Sequence, residues 1–200
     1  MINIHALLIA AGESKRMGSP KQLLSWGKYT LIEHQINVLQ RAGLPVSVVL
    51  GANFEMISNQ IESLNVQVFE NKDYARGMGT SISCGIEGIR KSKDTIDGVL
   101  IALVDQPLID VEHFKQMLRV FKSGEGQVIV SKTKTGLQSA PVLFDSCYLD
   151  ELIHLKGDKG AKQIIKKYSD KVLSVVNSDL EDMDTQVAYQ NLLNKVNHQS

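Results

Sequence analysis

Apolar residues along this chain follow two rhythms, and the two alternate. Short, mostly apolar runs stand at residues 5–10, 46–50, 66–69 and 98–104, each ending at a small or polar residue. Runs of that length with such endings predict buried strands. Between them the apolar residues fall at helical spacing. Leu31, Ile32, Ile36, Val38 and Leu39 form one set, stopped by Gly43-Leu44-Pro45. Met56, Ile57, Ile61 and Leu64 form a second within 55–64, and Ile82, Ile86 and Ile89 a third within 80–91. These predict helices. The run at 98–104 is the most continuous, as expected of a central parallel strand covered on both faces.

The second half alternates less strictly. Residues 111–122 predict a helix with Phe114, Met117, Leu118 and Phe121 facing inward, and 127–130 a strand. The polar stretch 131–139 reads as a hairpin or a flexible loop. A short strand at 140–144 should carry Pro141 at an edge or start, where its missing N–H does no harm. Helices at 149–155 and 161–168, a last strand at 172–176 and a closing helix at 185–196 complete the chain. Strands alternating with helices define an α/β domain with a mainly parallel sheet and helices on both faces. No repeat, low-complexity segment or linker divides residues 1–200, so one domain is expected.

Composition narrows the function classes. The 200 residues are 43% hydrophobic and 22% charged, with formal net charge zero. That balance, without a basic block, argues against a nucleic-acid partner. No apolar run reaches membrane-spanning length, and the opening Met1-Ile2-Asn3-Ile4-His5 lacks the features of a secretion signal. Cys84 and Cys147 stand alone, outside any metal spacing, and are expected to be reduced and buried. Together these features predict a cytoplasmic protein. Histidines at 5, 34, 113, 154 and 198 neither pair at metal spacing nor adjoin the candidate loops, so core or surface roles are expected. No Gly-x-Ser-x-Gly elbow marks a hydrolase.

In an open α/β sheet, ligands bind beyond the carboxyl ends of the strands. The residues there are the loop from Ala10 to Lys21, Gly51, Asn71 and Asp105. In the first loop, Ala10 and Ala11 allow close approach to the main chain, and Gly12 and Gly18 allow unusual torsions. Arg16 and Lys21 add two cations, a combination suited to a nucleoside triphosphate. The loop is no Walker A motif, because five residues separate Gly12 from Gly18 and Ser19 follows. Gly77-Met78-Gly79-Thr80-Ser81-Ile82 is no dinucleotide fingerprint, because its last Gly is missing. Asp105, ending the most apolar strand, fits a Mg²⁺ ligand or a helix N-cap. Asp179, Glu181, Asp182 and Asp184 crowd a later segment, where Asp184 could serve as an N-cap or as a second metal carboxylate. Gly77 and Gly79 lead into a helix whose N-terminus would attract an anion or a base edge, or is simply capped. Trp26 and Tyr29 suit base stacking or plain packing.

Leu8-Ile9-Ala10-Ala11-Gly12-Glu13-Ser14-Lys15-Arg16-Met17-Gly18, with Lys21-Gln22-Leu23-Leu24 after it, resembles the signature of the molybdenum cofactor cytidylyl- and guanylyltransferases. The resemblance implies a Rossmann-like three-layer domain of the nucleotide-diphospho-sugar transferase type. It implies that Arg16, Lys21 and Asp105 are catalytic, and that Asp105 and Asp184 hold Mg²⁺. Ala10, Ala11, Gly12, Arg16, Lys21, Asn71, Gly79 and Ser81 would bind the nucleotide. Leu155-Lys156-Gly157-Asp158-Lys159-Gly160-Ala161-Lys162 resembles the family's acceptor segment, which puts Gly157, Asp158, Gly160 and Lys162 beside the acceptor. Three departures stand out. Lys162 replaces an Arg, Ser139-Ala140 replaces Gly-His, and Gln186-Val187-Ala188 replaces Pro-Glu-Asp. The implied acceptor is molybdopterin or its molybdenum cofactor, with a xanthine dehydrogenase-type apoenzyme downstream. Ala10-Ala11-Gly12 tilts base choice toward CTP over GTP. Two rivals remain open: a sugar- or polyol-phosphate acceptor, and a carrier that passes the cofactor on without chemistry.

Overall fold

A computed structural model describes residues 2–92, 95–177 and 179–197; the Met1 start and His198 lie outside them. The chain runs through β1 (Ile4–Ile9), a small hairpin of β2 (Ser25–Trp26) and β3 (Tyr29–Thr30), α1 (Leu31–Arg41), β4 (Val46–Leu50) and α2 (Phe54–Gln60). It continues through β5 (Gln67–Glu70), α3 (Met78–Ser92), β6 (Gly98–Leu103), α4 (Val111–Val120), β7 (Val128–Lys132) and β8 (Gln138–Asp145). It ends with α5 (Leu149–Ile153), α6 (Lys162–Lys167), β9 (Val172–Val176) and α7 (Gln186–Asn197). The seven-stranded sheet has the order β5-β4-β1-β6-β8-β7-β9. Only β8 runs against its neighbours, so the sheet is mainly parallel, as the alternation predicts.

Every residue of β1 is buried. Successive strand side chains point to opposite faces, so β1 feeds two cores. Ala6 and Leu8 join Ile32 and Ile36 of α1 and Phe114 and Met117 of α4. Leu7 and Ile9 join Ile82, Ile86 and Ile89 of α3 and Ile164 of α6. Burying each such Leu or Ile contributes roughly 1.5–3 kcal/mol. α3 lies very close to the sheet, since a Cβ on Gly85 would stand 2.4 Å from Leu7 Cδ1. Thr30 starts α1 with a reciprocal box: its side chain accepts from Glu33 N, and Glu33 Oε2 accepts from Thr30 N at 2.7 Å. Such a cap contributes about 1 kcal/mol.

Ile9 is level with Val49 of β4 and with Leu103 of β6. The loops leaving these three strands therefore open at one rim, where the chain's crossovers diverge.

Several expectations need correction. Pro141 lies inside β8, an interior strand. The sheet tolerates it because the β7–β8 register jumps from Val130↔Val142 to Ser131↔Ser139, leaving Pro141 unpaired there, and the β6 pairing stops at Val142. The 131–139 stretch is a hairpin, but β7 and β8 extend into it to Lys132 and from Gln138, because ladder bonds form regardless of side-chain polarity. α2 stops at Gln60, ahead of Leu64, as the chain turns with Leu64 N donating to Ile61 O. The cysteines are free but not buried: Cys84 is half-buried and Cys147 exposed, on a turn after β8.

Candidate active site

The loop after β1 is held from below by a residue that sequence reasoning assigned no role. Gln22 is fully buried, and its Nε2 donates to Ala10 O at 2.8 Å and Gly12 O at 3.0 Å. Ser14 Oγ accepts from Lys21 N at 3.0 Å. Ser14 and Gly18 both adopt left-handed torsions, at φ 56° and 70°. These bends reverse the chain around a short 3-10 turn at Lys15–Met17. Met17 is buried, and its carbonyl accepts from Gln186 Nε2 of α7 at 2.9 Å. The sequence signal for Gln22 was only its adjacency to Lys21; nothing local revealed its partners.

The turn and its pins aim two cations at two carboxylates. Lys21 Nζ lies 2.6 Å from Asp105 Oδ2 and 3.1 Å from Asp184 Oδ1. Arg16 reaches the other oxygen of Asp184 at 2.7 Å. Asp105 and Asp184 thus share one ammonium, although Asp184 stands 163 positions from Lys21 in sequence. The segment carrying Asp184 is docked onto the end of β6 by Met183 N donating to Asp105 O at 2.8 Å. The Lys21 side chain is only 12% exposed. Burial works to lower its pKa, but Asp105 and Asp184 outweigh it and hold the ammonium above the usual lysine range. Burial likewise pushes Asp184 up, and Lys21 and Arg16 overcome it and hold the carboxyl below the usual range.

Asp182 joins this group, although the sequence singled it out only as one of a crowd of acids. Burial, reinforced by the charges of Asp105 and Asp184, pushes its carboxyl up. Gln106 Nε2 donates to Asp182 Oδ1 at 2.9 Å and to Ser139 Oγ at 3.0 Å, linking the rim of β6 to β8. α1 closes the same corner. Gln35 Nε2 donates to Gln106 O at 2.7 Å, and His34 Nε2 pairs with Pro107 O at 3.0 Å. His34 therefore does adjoin a candidate loop, against expectation, because α1 packs across the end of β6. Trp26 is buried in the core beside His34, so packing is its role and base stacking is not. Tyr29 is exposed under the Lys28 ammonium.

The donors suit a hard dication. Asp105 Oδ1 is buried without any hydrogen-bond partner. Mg²⁺ takes one or two protein carboxylates and fills its remaining positions with water and phosphate oxygens. Asp105 and Asp184 match that demand. Among the described residues no three acidic, histidine or cysteine groups form a metal-holding cluster.

The second flank is knitted to itself. Asn71 is buried, donating to Thr80 Oγ1 at 2.9 Å and Ser81 Oγ at 3.0 Å and accepting from Asp73 N at 3.0 Å. Asn71 and Ser81 thus fix the entry to α3. Gly79 N donates to Gly157 O at 2.8 Å. A Cβ on Gly77 would fall 2.3 Å from Asp158 Oδ1, and one on Gly79 2.8 Å from the Lys156 carbonyl carbon. The two glycines let the 77–79 and 156–158 segments touch. Beside them lies a cavity of about 740 Å³ with an apolar floor of Ile101, Val142 and Phe144 and a rim holding Asp158, Gly160 and Lys162. Asp182 also lines it, so the cavity opens onto the carboxylate group. The cavity is built from β6, β7, β8, β9, α3 and α6, a combination no local sequence signal exposes.

A cation-lined loop, paired carboxylates at the rim of an α/β sheet and an adjoining cavity form a cleft whose chemistry suits a phosphate-rich substrate. The chain belongs to the MobA-like NTP transferase domain family, whose pattern it matches over residues 6–172. It is 32% identical over 142 residues to a nicotine blue oxidoreductase of Paenarthrobacter nicotinovorans, covering 70% of this chain and 66% of that one. It is 22% identical to the molybdenum cofactor cytidylyltransferase of Escherichia coli over 92% of this chain and 93% of that one. A nucleotidyl transferase from Methanothermobacter thermautotroptrophicus shares the fold with a TM-score of 0.84, 18% identity and 99% coverage of both chains. Rv0371C of Mycobacterium tuberculosis, solved in complex with manganese, does so with a TM-score of 0.75, 23% identity and coverage of 96% and 98%.

Proposed function

We propose that this protein transfers a nucleotidyl group, with CMP favoured, from a nucleoside triphosphate to the phosphate of molybdopterin or its molybdenum cofactor. The observation that carries the reading is the Arg16–Asp184–Lys21–Asp105 chain of contacts at the rim of β1 and β6. An acceptor phosphate oxygen attacks the α-phosphorus, the bond to the bridging oxygen breaks, and pyrophosphate leaves with the electron pair. The protein must align the two reactants and stabilise charge on the leaving group. Arg16 and Lys21 take the β- and γ-phosphate oxygens, and Gly12, with open space around its Cα, lets them approach the main chain. Asp105 and Asp184 would hold Mg²⁺, which would neutralise phosphate charge when bound. Lys162 and the 157–160 turn hold the acceptor at the mouth of the cavity. All residues act as one domain in the cytoplasm, and the product passes to an apoenzyme of the xanthine dehydrogenase type. No helix among the described residues is long and apolar enough to cross a membrane.

The acceptor has one competitor, a sugar or polyol phosphate. It is permitted by the altered acceptor side, where Lys162 lacks the planar fork that grips phosphate at two points and the Ser139 hydroxyl is engaged by Gln106. The carrier reading fares worse, because the charged cluster at the triphosphate end would then have no task. Pyrophosphate release decides among the three. Purified protein is given Mg²⁺ and active molybdenum cofactor with CTP, GTP or ATP in turn. Cofactor-dependent release with CTP supports the reading. Release only with a sugar phosphate moves the acceptor, and silence with every pair favours the carrier.

A further inference from the structure

Three of the four oxygens of Asp105 and Asp184 are covered by the protein's own cations. Lys21 Nζ takes Asp105 Oδ2 and Asp184 Oδ1, and Arg16 takes Asp184 Oδ2. The fourth, Asp105 Oδ1, is buried and has no partner. We infer that Lys21 is a resident counter-ion that keeps this carboxylate pair closed to a divalent cation until a triphosphate draws the ammonium away. The inference rests on the nucleotidyltransferase reading and adds an order of binding to it.

The alternative is a permanent structural clamp, and two observations weigh against it. A permanent buried pair is stable when its remaining lone pairs are satisfied, yet Asp105 Oδ1 is orphaned. The clamp is also mechanically separable from the loop. Gln22 and Ser14 pin the backbone around position 21, through Ala10 O, Gly12 O and the Lys21 N–H. The lysine side chain is a flexible four-carbon stem, so it can leave the carboxylates while the main chain stays in place. Arg16, 67% exposed at its side chain, can swing equally freely.

Electrostatics supplies the order. An ammonium and a dication cannot occupy the same carboxylate oxygens, and the ammonium on Asp105 Oδ2 repels a dication at the one oxygen left, Asp105 Oδ1, so tight binding of a free dication requires Lys21 to withdraw. The displaced ammonium then needs new oxygens. A triphosphate offers several, in charge-assisted contacts that suit both Lys21 and Arg16. Nucleotide therefore raises affinity for the dication, and by linkage the dication raises affinity for nucleotide by the same factor.

The test uses Mn²⁺ as probe, with free ion counted by electron paramagnetic resonance. Wild type is compared with Lys21→Met, which keeps the stem and removes the charge, in the absence of nucleotide. Lys21→Met is expected to bind Mn²⁺ at least about tenfold more tightly than wild type. Asp105→Asn added to that variant is expected to remove the gain. Lys21→Gln serves as a second variant if Lys21→Met melts early. Equal, measurable Mn²⁺ binding by wild type and both variants would overturn the inference and leave the nucleotidyltransferase reading standing. No Mn²⁺ binding by either variant would likewise overturn the inference, and only silence in the pyrophosphate assay with every nucleotide and acceptor would overturn the nucleotidyltransferase reading.

Discussion

On the β1–β6 side of the cleft, charged groups are fixed by one another. On the β8–α6 side they stand around a cavity. The first side places Lys21, Arg16, Asp105 and Asp184 in direct contact, with Gln22 beneath them. The second has an apolar floor of Val142 and Phe144 and a rim where Lys162 is exposed. The difference matches the two substrates expected. A triphosphate always presents the same oxygens, so its site can be prebuilt on a pinned backbone, with Lys21 and Arg16 as the side chains that move to meet it. An acceptor is recognised by shape along its body and by charge at its end, so its site needs volume. Substitutions on the first side should therefore strike chemistry, and those on the second should strike acceptor affinity.

The largest effect is expected at Asp105. Asp105→Asn should lower kcat by about 10³-fold, on the scale of losing one preorganised electrostatic group. The fold should survive, because Lys21 keeps Asp184 as a partner; a melting curve alongside the kinetics checks both. Gly79→Ala comes next. Its Cβ would meet the backbone of 156–157, and overpacking of this kind costs about 1–3 kcal/mol. Thermal melts should show the loss, together with weaker acceptor binding. Lys162→Ala should raise the acceptor KM by roughly tenfold and leave the nucleotide KM unchanged, the pattern of lost uniform binding. A matched rise in both constants would erase the contrast between the two sides.

The smallest effect lies away from the cleft and sets a baseline for stability. His113 is buried, paired through Nε2 with Ser131 Oγ at 2.8 Å, while its Nδ1 has no partner. Burial pushes its pKa down, with Asp110 opposing. The folded state thus resists protonation more than the unfolded chain does. Its contribution is full above the ordinary imidazole range and is lost as pH falls through that range toward the folded value. Between pH 7.5 and 5.5 this should lower stability by up to about 1 kcal/mol. The drop should be smaller in His113→Gln, as denaturant titrations at both pH values would reveal.

What could be read from the chain was what local pattern encodes. The apolar run of β6 ending at Asp105, and the small residues and cations from Ala10 to Lys21, are contiguous signals. They were legible because strand burial and loop chemistry leave their marks within a few residues. Gln22, Asp182 and the Gln106–Ser139 link were not, since each acquires its meaning from a partner brought near by the sheet order. Pro141 misled for the same reason: its place inside β8 depends on a register jump against β7. His34 stands 73 positions from Pro107 in sequence, and α1 carries it there.

The most direct test of the account follows the label. The protein is incubated with Mg²⁺, molybdenum cofactor and CTP carrying radioactive phosphorus at either the α or the γ position. Transfer predicts that the α label appears on the cofactor and the γ label in pyrophosphate. An α label that stays with free CTP or CMP, while cofactor remains unlabelled, would contradict it.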